Sequence, residues 1–102
     1  MTELLEEKKG HIRGLCERHG VLRLEAFGSS VRDDFDPARS DLDFLVEFKE
    51  MEPYARVEAY FGLLDALRDL FGRDIDLVMV DAVRNPYIAA DIEKTKQLLY
   101  AA

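Results

Sequence analysis

Cysteine is almost missing from this chain, which has Cys16 alone. That excludes an intrachain disulfide and any cysteine-based zinc cluster. Cys16 falls on the apolar stripe of a predicted helix and reads as a small core residue. Long apolar runs are also missing, and none approaches the ~18 residues that a membrane span needs. The opening MTELLEEKK is charged and lacks the apolar region of a secretory leader. These absences predict a cytoplasmic protein with no membrane partner. Basic tracts are lacking too, and the formal net charge is −7. Such a chain is poorly suited to grip a phosphate backbone, so no direct nucleic-acid binding is expected. Mobile cations or a basic partner protein suit it better, although the plainer reading of the charge is solubility. Repeats, low-complexity segments and linkers are absent as well.

What is present is enough for a packed core. At 102 residues one domain, 1–102, is the expectation, and 48% hydrophobic content argues against disorder. Residues 3–19 read as a helix, with Leu4, Leu5, Ile12, Leu15 and Cys16 near a 3.6-residue repeat and Gly20 as its stop. VLRLEAF, 21–27, alternates as a strand, with Leu22, Leu24 and Ala26 on one face and Arg23 and Glu25 on the other. Gly28-Ser29 breaks it, a short helical turn follows over 30–34, and DPARS at 36–40 is turn material. Residues 41–48 form a second strand. Its even face is apolar through Leu42, Phe44, Val46 and Phe48, and its odd face carries Asp41, Asp43, Leu45 and Glu47.

Pro53 suits a helix start. Val57, Tyr60, Phe61, Leu64, Leu67 and Phe71 make its stripe, and Gly72 closes it. DIDLVMV, 74–80, is a third strand with Ile75, Leu77 and Met79 on one face and Asp74, Asp76 and Val78 on the other. Asn85-Pro86 opens a final helix running to about Tyr100, with Ile88, Ile92, Leu98 and Leu99 on it. The order αβαβαβα predicts an α/β (α+β) fold with a small mixed three-stranded sheet flanked by helices. The long helical crossover makes strands two and three a parallel pair. The shorter link between strands one and two allows an antiparallel pair. That arrangement brings Gly28-Ser29 beside Asp41 and Asp43, with Asp76 arriving from the next strand.

Asp41 and Asp43 share a strand face. Two carboxylates held that close repel unless a cation neutralises them, and hard divalent ions, Mg²⁺ above all, take oxygen ligands. Asp76 completes a set able to hold two metals of the kind that clamp the oxygens in phosphoryl or nucleotidyl transfer. By alternation Asp74 fits the third place equally. Asp76 is preferred because it lies further into the strand, between Ile75 and Leu77, where a charge is hardest to explain structurally. Gly28 lets the backbone approach a phosphate, and the N–H groups of the turn point at the anion. Ser29 can donate to a phosphate oxygen. Ser30 and Arg32 are further candidates for holding a nucleotide. Taken singly each feature has a bland reading: a Gly-Ser turn, a solvated acidic rim, a surface aspartate, an arginine paired with Asp33 or Asp36. Together they favour a nucleotide site.

FGSSVRDD…RSDLDFLVEF resembles the Gly-Ser … Asp-x-Asp signature of the minimal nucleotidyltransferases of the DNA polymerase β superfamily, the antitoxin partners of HEPN-type ribonuclease toxins. DIDLVMV is similar to that family's third-carboxylate strand, and NPYIAADIEKTKQLLYAA to its C-terminal helix. The resemblance covers essentially the whole chain. It departs in the turn, where eleven residues separate Ser29 from Asp41, one more than is common, and Asp33 stands where glycine often follows the arginine. The resemblance implies a polymerase-β-like core and an Mg²⁺-dependent enzyme. Such an enzyme moves AMP from ATP to a tyrosine of a cognate HEPN-type toxin within a hetero-oligomer. It implies that Asp41 and Asp43 bind Mg²⁺ and that Gly28 and Ser29 hold the triphosphate. Asp76 would bind a second metal and help deprotonate the tyrosine. Two rivals stand beside it: a binding module that neutralises its toxin without catalysis, and a nucleotidyltransferase acting on RNA ends or a small molecule.

Overall fold

β1 (Val21–Phe27) and β2 (Leu42–Phe48) pair antiparallel, and β2 pairs in parallel with β3 (Ile75–Met79), in a computed structural model. It describes residues 3–31 and 41–102, and at Ser29 the backbone only. Both pairings follow the connection lengths. A fourth strand, β4 (Gln97–Ala101), adds antiparallel to the other side of β1, giving the sheet order β3-β2-β1-β4. The sheet therefore has four strands where three were expected.

The last helix is the reason. α4 (Pro86–Thr95) starts as predicted, with Pro86 at its first position and Asn85 Oδ1 accepting the N–H groups of Tyr87 and Ile88. It stops at Thr95 rather than near Tyr100, because Lys96 takes the extended ψ of 136°. Without β4, the free side of β1 would be an unpaired row of backbone donors and acceptors. Residues 97–101 fill that row, and Leu99 enters the core as they do so. Pairing and burial outweigh the helical preference of QLLYAA.

Helices α1 (Glu3–Glu7), α2 (Lys9–Arg18) and α3 (Pro53–Phe71) cover one face of the sheet. The expected single first helix is broken at Lys8, which sits at φ −96°, ψ 5°. Gly10, just beyond, weakens helical continuity there. Leu5, Ile12 and Cys16 still reach one core with Leu24, Leu42, Phe44, Val46, Leu63 and Leu67. Burial pushes the Cys16 thiol up to about 12, with the neighbouring Glu17 charge adding to it. α4 covers the opposite face, where Phe27, Leu45 and Ile92 form a second, smaller cluster.

Two predicted faces are corrected. In β1 the register shifts between Val21 and Arg23, and the bulge reverses the alternation there. Val21 is fully buried and Leu22 is exposed. In α3, Val57 and Phe61 are half exposed, at 50% and 56%, while Leu63 joins Leu64 and Leu67 in the core. The helix is rotated so that its later turns carry the packing. Gly72 ends it as expected, at φ 63° with its N–H donating to the Arg68 carbonyl. No helix among the described residues is long and apolar enough to cross a membrane.

Candidate active site

The two faces of β2 decide where chemistry can occur. Leu42, Phe44 and Val46 go into the main core, so Asp43 and Leu45 must look toward α4. Parallel register sets Asp43 directly opposite Asp76, and antiparallel register sets Phe27 opposite Asp43 on the other side. Neighbouring strands run about 4.8 Å apart. Two carboxylates and the last residue of β1 thus form one row across the sheet. Asp43 is half-buried and Asp76 exposed.

Beyond this row Gly28 begins a 3-10 turn, Gly28–Ser30, where a turn was expected over 30–34; residues 32–34 lie outside the described residues. Gly28 has φ +62°, and a side chain there would place its first carbon 2.9 Å from Asp43 Oδ2 and 3.5 Å from Asp91 Oδ2. Glycine is required twice over, by the backbone conformation and by the closeness of the carboxylates. Ser30 is fully buried and ties the turn to β2: its Oγ accepts the Asp43 N–H at 2.7 Å and lies 3.4 Å from the Asp43 carbonyl. That hydroxyl is committed to the Asp43 backbone. The Ser29 side chain and all of Arg32 lie outside the described residues.

The row across the sheet closes one wall of a cavity of about 610 Å³. Asp43, Asp76 and Phe27 line it from the sheet, Val83 and Arg84 from the loop after β3, and Tyr87, Ile88 and Asp91 from α4. Arg84 Nη1 donates to the Asp81 carbonyl at 2.6 Å and to that of Val83 at 3.4 Å, which fixes a cation at the rim. Asp91, Arg84 and Tyr87 were not anticipated as site residues. No signal in the sequence marks Asp91, which reaches the site because it stands one turn before Thr95 on the helix face that meets the Gly28 turn. On the far side of β3, the Tyr60 hydroxyl donates to the Leu77 carbonyl at 2.6 Å. Its pKa is raised by burial and then by the charge of Asp76.

Among the described residues, no three His, Cys, Asp or Glu side chains gather into a ready metal-binding group. Asp43 and Asp76 come together, whereas Asp41 is exposed and stands one residue before β2. Asp74 also precedes its strand; its carbonyl accepts the Leu42 N–H at 3.4 Å. The paired carboxylates beside a cavity do fit a hard, oxygen-seeking cation in donor chemistry.

Residues 8–99 match the nucleotidyltransferase domain family. The chain belongs to that family. Nucleotidyltransferase relatives include a Methanocaldococcus jannaschii protein provisionally named protein adenylyltransferase MJ0128, 37% identical over 94 residues and 92% of each chain. Protein adenylyltransferase MntA of Thermococcus cleftensis is 35% identical over 75 residues, 74% of this chain and 72% of the relative. Among solved structures, the complex of tri-AMPylated Shewanella oneidensis HEPN toxin with MNT antitoxin holds a chain of the same fold. Its TM-score is 0.60 at 19% identity, over 96% of this chain and 73% of that one. The nucleotidyltransferase fold expected from the Gly-Ser and Asp-x-Asp segments is thus the fold found, with one strand more.

Proposed function

We propose that this nucleotidyltransferase transfers AMP from ATP to a tyrosine hydroxyl of a HEPN-type toxin in the cytoplasm and so neutralises it. The observation that carries the reading is the register of Asp43 against Asp76 beside the Gly28 turn. It is supported by relatives named for protein adenylylation and by the fold shared with an MNT antitoxin bound to an AMPylated toxin.

Asp41, Asp43 and Asp76 are the residues to hold Mg²⁺, two ions in the full arrangement. When bound there, Mg²⁺ offsets the negative charge of the carboxylates and of the phosphates. The chain's own groups do the rest. Gly28 and Ser29, with the Ser30 backbone and Arg32, hold the triphosphate; Asp76 accepts the proton of the attacking hydroxyl. The apolar lining of Phe27, Val78, Val83 and Ile88 keeps water from the reacting phosphorus. The acceptor oxygen bonds to the α-phosphorus of ATP and pyrophosphate leaves. Among the described residues the cavity is walled by the sheet, the loop after β3 and α4 alone, which suits an acceptor presented on another protein.

The test is incubation of the chain with its cognate toxin and α-labelled ATP. AMP should appear on the toxin, and its RNase activity should fall with the same time course. Neutralisation without incorporated AMP would make the chain a binding module. Label on RNA ends or on a small molecule instead would move the acceptor class.

A further inference from the structure

We propose that Thr95 is a positioning residue of this active site: its hydroxyl holds the Gly28 turn in the orientation that meets the phosphates. The inference rests on the nucleotidyl-transfer reading above. Gly28 is buried, and its N–H donates to Thr95 Oγ1 at 2.8 Å, across 67 residues of sequence. Thr95 lies in the last turn of α4, and its own hydroxyl donates to the Asp91 carbonyl at 2.7 Å. A threonine bonding back one turn is common in helices and needs no further purpose. Here that local bond fixes the hydroxyl hydrogen, so that an Oγ1 lone pair faces Gly28. The long-range bond is what a local role leaves unexplained.

The consequence is directional. The Gly28 N–H is drawn toward α4, so the donors for an anion come from the residues after it. Gly28 also has no slack, because it sits at φ +62° with Asp43 Oδ2 occupying the space a side chain would take. A turn released from Thr95 and rotated toward β2 would press on a carboxylate that the reaction requires. α4 therefore contributes to holding ATP through its last turn as well as through the cavity wall.

The experiment compares the full chain with Thr95→Val, which keeps the shape and removes the hydroxyl, and with Thr95→Ser, which restores it. Amide hydrogen exchange at Gly28 is measured alongside kcat and KM for ATP with the cognate toxin. In Thr95→Val, exchange at Gly28 should speed up and KM for ATP should rise, each by about tenfold, with kcat little changed. Thr95→Ser should return both to wild type. Unchanged exchange in Thr95→Val, or a serine variant that behaves like valine, overturns the proposal. So does acceleration spread evenly over β1 and β2, which would mark general destabilisation. If the wild-type chain transfers no nucleotide, the functional reading fails, and Gly28 exchange in the three proteins still decides whether Thr95 holds the turn.

Discussion

Single atoms separate the roles of the acidic residues. Asp76 shares a register position with Asp43 and lines the cavity, whereas Asp74 lies before β3 and outside that lining. Asp76→Ala should lower AMP transfer by roughly a hundred- to a thousandfold, on the scale of losing one preorganised electrostatic group. Asp74→Ala should leave it near wild type. Both variants should still co-purify with the toxin, and nucleotide incorporation scored beside co-purification distinguishes them. A dead Asp74→Ala with an active Asp76→Ala would move the site by two residues along the strand. Gly28→Ala is different in kind. Its φ of +62° costs an alanine about 1–2 kcal/mol, and the added carbon meets Asp43 Oδ2. The melting temperature should drop and transfer should fall further than that drop explains, which paired melts and incorporation assays will read.

At the scale of elements, β3 is an edge strand held on one side by β2 and on the other by a side chain. Tyr60, from α3, donates to the Leu77 carbonyl where another strand would otherwise supply an N–H. Tyr60→Phe should cost about 1 kcal/mol. It should also change the alkaline limb of stability. Burial and the Asp76 charge raise the folded-state phenol pKa above its ordinary 10.0. Its contribution is therefore whole below that value and fades as pH climbs through the folded-state pKa. Denaturant melts from neutral to strongly alkaline pH should show a steeper decline in wild type than in Tyr60→Phe. The elements also show what sequence could convey. One face of LDFLVEF and of DIDLVMV is apolar throughout and the aspartates fall on the other, so both strands and their acidic faces were readable. The bulge after Val21 leaves no mark in VLRLEAF, and the fate of QLLYAA depended on an open edge of β1 that only the assembled sheet creates. For the same reason Asp43 opposite Asp76 was inferable, whereas Asp91 and Thr95 needed the path of α4.

For the whole molecule, the acidic balance and the site have a common outcome. A net charge of −7 disfavours the compact state, and the carboxylates of the site add to it locally. Mg²⁺ with ATP, bound by the folded chain alone, should stabilise it by about 2.7 kcal/mol at a hundredfold excess over Kd. Thermal melts with and without the pair, and with Asp43→Asn as control, test this; an unchanged midpoint in wild type would count against the cluster as a metal-nucleotide site. The position of β4 has a further effect, on the order in which the chain assembles. Its pairing of Leu24 with Tyr100 joins residues three-quarters of the chain apart, whereas the hairpin-like β1–β2 pair is close in sequence. Distant pairings carry the larger loop-closure cost and form late. The Asp43–Asp76 row can therefore be in place while the Gly28 turn still lacks its anchor on α4. A chain that has paired β1, β2 and β3 but not yet β4 thus has the acidic row before it has a fixed Gly28 turn.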